Sequence, residues 1–166
     1  METKELGEFS GKQVLLVVLE NYSSLPKECQ LPGPYFQTIF FVDEAEVEIE
    51  TGDRFDFLIN DLLDRGSCYF VCGGTGGSHL ENWISETVIF REIEDGITQP
   101  DDGAIMTSWE NKDPLSEVVN FALQQAKGDD HYIPYNPAKI FFMLKDSPYL
   151  NELEGLLSDL GSFRNC

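Results

Sequence analysis

The feature that most constrains the fold of this sequence is an apolar run near its start, KQVLLVVLE over residues 12–20. A strand with one solvated face alternates apolar and polar residues, but this run is apolar without interruption from Val14 to Leu19. Such runs are typical of strands covered on both faces, as in parallel sheets flanked by helices. The run therefore predicts a buried strand in an α/β fold.

The rest of the chain repeats strand-like and helix-like patterns in alternation. The predicted strands are residues 36–42, 68–72, 104–109 and 138–144, and the predicted helices are 53–65 and the segments opening at Ser78, Pro114 and Ser147. We expect one domain over residues 1–166, with three layers, a mostly parallel sheet of about five strands and helices on both faces, similar to Rossmann and flavodoxin folds. Residues 1–11 and 161–166 are expected to be frayed tails.

Residues 43–50 show a strict alternation of charge. Because successive side chains of a strand point to opposite faces, this period of two predicts an additional strand or edge hairpin with one acidic, solvated face. The four glutamates on that face are Glu44, Glu46, Glu48 and Glu50.

Acidic residues dominate the charge of the chain. Thirty Asp and Glu stand against 11 Lys and Arg, a formal net charge of -19 at pH 7. Such a chain repels a phosphate backbone and an anionic membrane surface, so neither nucleic acid nor membrane is an expected partner. Residues 1–10 lack the apolar core of a signal peptide, and no apolar run reaches the roughly 20 residues of a membrane span. We expect a cytoplasmic location.

The cysteines and histidines indicate no metal site. The chain has four cysteines, Cys29, Cys68, Cys72 and Cys166. With His79 and His131 as its histidines, it lacks the ligand spacing of zinc sites, and we expect neither metal nor cofactor. Cys68 and Cys72 share a predicted strand and are expected to be small buried hydrophobes in a reducing compartment. Cys72 also precedes a possible helix N-terminus, where a thiolate nucleophile would be favoured, but its predicted burial argues against that role.

The segment most suggestive of a small-ligand site is the glycine loop, Gly73-Gly74-Thr75-Gly76-Gly77-Ser78. A strand, a glycine-rich loop and a helix N-terminus can hold an anion such as a phosphate on backbone N–H groups. However, no lysine follows Gly77 as a P-loop requires, and His79 occupies the third glycine position of the dinucleotide-binding fingerprint. A tight packing turn is therefore the stronger interpretation, and an anion or nucleotide site is the alternative.

No motif marks catalytic residues. Ligands of open α/β sheets bind at the carboxyl ends of the strands, where Glu20, Asp43 and Glu110 fall and are possible general bases. His79, Glu20 or Asp43 would assist an anion held by the glycine loop. A nucleophile elbow is absent from the sequence. We expect a binding protein rather than an enzyme.

The charge suggests what is bound. Residues 43–64 carry nine acids and one base, Arg54. A basic partner would offset the self-repulsion of these acids and associate rapidly. The six acids that we predict to contact it are Glu44, Glu46, Glu48, Glu50, Asp53 and Asp56. The loop tyrosines predicted to act as exposed anchors are Tyr22, Tyr35, Tyr132 and Tyr135.

In size and charge the chain resembles two classes of small acidic proteins. One is the immunity proteins that neutralise nuclease toxins in bacterial competition, and the other is the acidic mimics of nucleic acid. Mimics spread acids over their whole surface, whereas about a third of the acids here fall in one segment. The sequence therefore favours an immunity or inhibitor protein that neutralises a basic protein such as a toxin domain. An accessory subunit of a larger complex is the third hypothesis.

Overall fold

A computed structural model describes residues 1–23, 25–49, 53–94, 103–110 and 114–160. Of Glu48, Ile49, Asp53, Arg54 and Glu110 it describes only the backbone. The elements in chain order are β1 (Glu2–Phe9), β2 (Lys12–Leu19), β3 (Phe36–Phe41), α1 (Glu44–Ile49), α2 (Asp53–Arg65), β4 (Ser67–Gly73), α3 (Gly77–Glu94), β5 (Met106–Glu110), α4 (Leu115–Gln124), a 3-10 helix (Asp130–Tyr135), β6 (Ala138–Leu144) and α5 (Leu150–Leu157).

The described strands form one six-stranded sheet in the order β1-β2-β6-β3-β4-β5. β1 pairs antiparallel with β2, and the other pairs are parallel. The protein is therefore an α/β domain with a mostly parallel sheet.

Both faces of the sheet carry apolar packing, which explains the uninterrupted run in β2. Leu15 and Val17 join one hydrophobic cluster together with residues of α2 and α3. Leu16 and Val18 join a second cluster together with residues of α4 and α5. Because neighbouring residues of a strand point to opposite faces, a strand between two such clusters has no position left for a solvated side chain.

The first eleven residues are ordered, so the expectation of a frayed tail there was wrong. Glu2–Phe9 forms the edge strand β1, with a bulge between Glu5 and Gly7. Phe9 is buried, and Lys4 pairs with Glu154 of α5 at 3.3 Å. One long edge of an edge strand has no neighbouring strand and meets water, so few of its residues need to be buried. The charged sequence of β1 therefore did not indicate a strand. The expected tail at 161–166 lies outside the described residues.

The expected acidic strand at residues 43–50 was also wrong, because Glu44–Ile49 is the helix α1. The backbone N–H of Asp43 donates to Glu46 Oε2 at 2.8 Å, and the N–H of Val47 donates to Asp43 O at 3.2 Å. The first contact is the glutamate half of a capping box, and the second is the first backbone hydrogen bond of the helix, so both stabilise the first turn of α1. Residues two apart on a helix lie about 200° apart, so Glu44 and Glu46 point to different sides of α1.

The other predicted elements are confirmed within a few residues. The predicted helix 53–65 is α2, and the predicted strand 138–144 is β6. The short predicted strand 104–109 is found at Met106–Glu110. The sequence also predicts a polar loop over residues 94–103, most of which lies outside the described residues.

Candidate functional site

Two strands that end near each other contribute an ion pair at the carboxyl edge of the sheet. Glu20 follows β2, and its carboxylate is paired with the ammonium group of Lys145, which follows β6. The hydrogen bond from Lys145 lowers the pKa of Glu20, and the same contact raises the pKa of Lys145. Glu20 is thus held ionised beside a cation. For Glu110 at the end of β5, the structure describes no side chain.

Asp43 at the end of β3 is engaged by the chain itself. Its Oδ1 accepts a hydrogen bond from the Tyr149 hydroxyl at 3.0 Å, and this bond raises the pKa of Tyr149. Glu46 folds back onto the Asp43 N–H, and burial raises the pKa of its carboxyl group. The N–H of Glu44 donates to Thr75 Oγ1 at 3.0 Å. These contacts join the glycine loop, α1 and α5.

The glycine loop uses its backbone for internal contacts. The N–H of Gly76 donates to Val42 O at 3.0 Å, and the N–H of Gly77 donates to Gly74 O at 3.0 Å. The hydroxyl of Thr75, which would have contacted an anion, accepts from the backbone of Glu44 instead.

Close approach explains why glycine stands at these positions. Gly74 has φ +85, and a Cβ there would lie 2.2 Å from Val42 O. A Cβ on Gly76 would lie 2.7 Å from Asp43 O and 2.8 Å from a methyl group of Val47. The loop is thus packed against the start of α1, and the N–H groups of Gly76 and Gly77 already have acceptors within the chain. Both observations favour the packing role over an anion site.

The sulfur groups and the nearby histidine give no reactive centre. Cys72 is fully buried, and burial raises the pKa of its thiol far above the ordinary value. Burial raises the pKa of Cys68 to about 12. Both cysteines are the small buried hydrophobes that the strand pattern predicted. His79, at the first turn of α3, is exposed.

Of the six acids of the predicted interface, the three whose side chains the structure describes do not form one open surface. Glu44 is exposed and Glu46 is turned inward. Asp56 accepts a hydrogen bond from Trp83 Nε1 at 2.6 Å, which links α2 to α3. The side chains of Glu48 and Asp53, and the whole of Glu50, lie outside what the structure describes.

Two further acids of residues 43–64 make hydrogen bonds within the chain. Asp61 accepts from the N–H of Leu25 at 2.8 Å and from Arg65 Nε at 2.9 Å. Asp64 accepts from Arg91 Nη2 at 2.6 Å. The density of acids in this segment thus partly reflects its contacts with the long loop before β3 and with α3.

Three of the four predicted tyrosine anchors are buried, so that prediction was wrong for them. Tyr22 stacks on Phe55 with ring centroids 4.6 Å apart. Tyr35 and Tyr132 meet edge to face at 4.9 Å and are also buried. Tyrosine in a loop carries a large apolar ring, and here the loops fold over the ends of the core. Tyr135 is exposed, as predicted.

One base of the chain is buried, which the sequence analysis missed. Lys139 of β6 donates to Gln37 Oε1 at 2.8 Å and to the backbone oxygens of Ala122 and Ala126 near the end of α4. Burial, together with the charge of Lys12, lowers the pKa of Lys139 to about 7. The ammonium group acts as a C-terminal cap of α4.

An exposed apolar surface was missed as well. The outward side of α3 carries Ile89, Phe90 and Ile93, and the adjacent strand β5 exposes Met106 and Trp109. We call this surface, β5 with the three α3 residues, the β5 border. The signal in the sequence was that Ile89 and Ile93 fall off the helical face shared by Leu80, Trp83, Ile84, Thr87 and Val88.

Among the described residues no group of His, Cys, Asp and Glu is arranged to hold a metal ion. Within the same residues no helix is long and apolar enough to cross a membrane.

Comparison with known proteins places the chain in one family. Residues 15–159 match the family model described as domain of unknown function DUF7684. The match spans most of the chain, so the protein belongs to that family. No curated protein and no solved structure matches the chain.

Proposed function

We propose that this protein is an acidic protein-binding module, an immunity or inhibitor protein that neutralises a basic partner such as a nuclease toxin. Its fold, on this proposal, is a three-layer Rossmann-like domain. The two hydrophobic clusters, one with α2 and α3 and one with α4 and α5, support that layering. The free, buried thiols of Cys29, Cys68 and Cys72 fit a reducing cytoplasm.

The observation that carries the proposal is where the charges lie. No described Asp or Glu side chain is buried, whereas Lys139 is. With Lys139 set aside, ten bases remain in the chain against thirty acids. Of these bases, Arg65 and Arg91 are held against Asp61 and Asp64. Each of these pairs neutralises one acid together with one base, so it is the burial of Lys139 that leaves the surface more negative than the composition alone indicates.

Such a surface favours capture of a positively charged protein. Negative potential raises the association rate with a basic partner and repels nucleic acid, which a nuclease inhibitor must not bind. The attraction weakens with salt, because the Debye length falls from about 30 Å at 0.01 M to about 3 Å at 1 M. Electrostatic steering alone raises the association rate more than it raises the affinity. A stable complex therefore also needs buried apolar contacts.

Co-expression with the genes that flank its own tests the proposal. The tagged protein is purified at roughly 0.05 M salt and again at roughly 1 M. We expect a stoichiometric basic protein at low salt that is released at high salt. If the partner is a nuclease, adding the purified protein back should abolish cleavage of DNA or RNA.

The same experiment separates the inhibitor from an accessory subunit. A partner whose activity rises or is unchanged in the complex would indicate a subunit. A complex that forms equally at both salt concentrations, or no complex at all, would contradict the proposed electrostatic capture.

A further inference from the structure

We infer that the β5 border is the docking surface for the basic partner, which adds a strand to the free edge of β5. This inference rests on the proposed function and specifies the surface that performs it. It moves the interface away from residues 43–56, where the sequence alone had placed it.

The two edges of the sheet differ in how they meet solvent. At one edge, β1 exposes Glu2, Glu5 and Glu8 and is interrupted by a bulge at Gly7. Charges and bulges are the usual protection of an edge strand against pairing with another chain. At the other edge, β5 (MTSWE) is regular and pairs, within the described residues, with β4 alone. A regular edge strand presents N–H and C=O groups that an added strand can pair with.

Apolar side chains flank this edge on both faces of the sheet. Thr107 bonds Glu81 of α3 at 2.6 Å, so it lies on the α3 face. Trp109, two residues on, shares that face, and Met106 points to the opposite one. The exposed fractions are 73% for Ile93, 61% for Phe90, 54% for Ile89, 52% for Trp109 and 40% for Met106.

The direction of α3 arranges these residues along the edge. Because α3 connects the parallel strands β4 and β5, it runs back along the sheet, antiparallel to both. Trp109 therefore lies toward the first turns of α3, and Ile89 and Ile93 lie toward the start of β5. Ile89 lies about 40° around α3 from Ser85, whose hydroxyl contacts Thr107, whereas Phe90 and Ile93 point away from the sheet. Apolar contact for an incoming strand therefore comes from Trp109, Met106 and Ile89.

The charge around the border selects the partner. Glu86, Glu92 and Glu94 of α3 are exposed beside the three apolar residues. The only base of α3, Arg91, is turned toward α2, where it contacts Asn60 and Asp64. An apolar surface with an acidic rim is complementary to a strand that alternates apolar and basic residues. A second copy of this chain would bring the same acids against the rim.

Three synthetic peptides, a probe and two controls, test the inference on the full-length protein. The probe alternates lysine and valine over about ten residues, so that it outspans β5. One control peptide replaces lysine by glutamate, and another replaces valine by glycine. Amide chemical shifts of the 15N-labelled protein are followed during titration at roughly 0.01 M salt and at roughly 1 M.

We expect the lysine–valine peptide to shift the amides of Met106–Glu110 and of residues 89–93 in a saturable way at low salt only. The glutamate–valine peptide should not bind, and the lysine–glycine peptide should bind weakly and without a preferred surface. Exchanging both Ile89 and Trp109 for serine should weaken binding of the probe by roughly tenfold or more. The matched control is Ile133→Ser on the 3-10 helix, where the side chain is 61% exposed, and it should leave affinity unchanged.

The outcomes separate this inference from the proposed function. Saturable shifts on Glu44–Ile49 in place of β5, or equal affinity of the Ile89/Trp109 variant, would overturn the inference but not the proposal of a basic partner. Equal binding of the glutamate–valine peptide would also overturn it, since the border would then take apolar strands regardless of charge. If neither basic peptide binds saturably at low salt, both the inference and the proposed function fail.

Discussion

The glycine loop and the β5 border follow one another along β4, α3 and β5, but their surroundings are opposite. The loop is covered: its N–H groups bond to Val42 and Gly74, and Thr75 caps the start of α1. The border is open: Phe90, Ile93 and Trp109 each expose more than half of their side chain. The N–H groups of Gly76 and Gly77 and the hydroxyl of Thr75 thus have hydrogen-bond partners within the chain. The apolar side chains of the border, in contrast, are exposed to solvent.

The difference separates residues that hold the fold from residues that are free to bind. Substitutions of Gly74 or Gly76 should lower stability, because a side chain at either position would collide with the backbone of Val42 or Asp43. Substitutions in the border should leave stability nearly unchanged and act on binding of a partner. The following predictions test this separation, beginning with the largest expected effect.

Gly74→Ala should lower the free energy of unfolding by roughly 3 kcal/mol or more. Its φ is +85, and the new Cβ would lie 2.2 Å from Val42 O and 2.9 Å from Val42 N. Urea unfolding measures the change. The control is Gly155→Ala in α5, where no atom lies within 4 Å and alanine should raise stability by about 0.5–1 kcal/mol. Equal stability of Gly74→Ala and the wild type would show that the loop is not packed as described.

Lys139→Met should lower stability at pH 7 by about 1–3 kcal/mol, because Gln37 and two backbone oxygens of α4 lose their donor. It should also remove a pH dependence. In the wild type the folded-state pKa of Lys139 is about 7, below the 10.5 of an ordinary lysine. Above pH 7 the unfolded chain therefore holds a proton that the folded chain has lost, and stability rises with pH.

The window for this measurement ends near pH 8.5. Above about pH 8.5 the cysteines ionise in the unfolded chain, while burial keeps Cys68 and Cys72 protonated in the folded one, which lowers stability. Urea midpoints of the wild type should thus increase from pH 7 to 8.5 more steeply than those of Lys139→Met. Parallel profiles would contradict a deprotonating Lys139.

Asp43→Asn should have a smaller effect, about 0.5–1 kcal/mol, since an amide oxygen still accepts from the Tyr149 hydroxyl. The clearer readout is the pKa of Tyr149, which the hydrogen bond and charge of Asp43 raise. Ultraviolet titration of tyrosinate should show one tyrosine with a lower pKa in the variant. A titration identical to that of the wild type would place Tyr149 away from Asp43.

Ile93→Ser should change stability least, by less than about 0.5 kcal/mol, because the side chain is mostly in water. Calorimetric unfolding of the variant and the wild type measures the difference. A loss of more than about 2 kcal/mol would mean that Ile93 is part of the core, and the β5 border would then not be an open surface.

The elements with a strong local pattern could be predicted from the sequence. The apolar run of β2 and the helical period of residues 53–65 each specify one structure, and both were found. Residues 44–49 fit the period of a strand and that of a helix, and the hydrogen bond from the Asp43 N–H to Glu46 favours the helix. The local signal was present, but the alternation of glutamates obscured it.

The remaining features depend on contacts distant in sequence. Lys139 is buried because the end of α4 lies over it, which nothing near residue 139 indicates. Trp83 and Asp56 meet only because α2 and α3 are neighbours. Likewise, Phe90 and Ile93 are exposed because no described helix covers the outer side of α3. Periodicity shows which side chains share a face, but not whether a neighbour covers that face.

The most direct test of the account is hydrogen exchange in the complex isolated by co-expression with the flanking genes. Exchange of the β5 amides, Met106–Glu110, is compared in the low-salt complex and in the protein released at high salt, with the free protein measured at both salt concentrations. The account predicts that the partner slows exchange in β5 and in residues 89–93, and leaves α1 unchanged. Protection confined to Glu44–Ile49, with β5 exchanging as in the free protein, would contradict it.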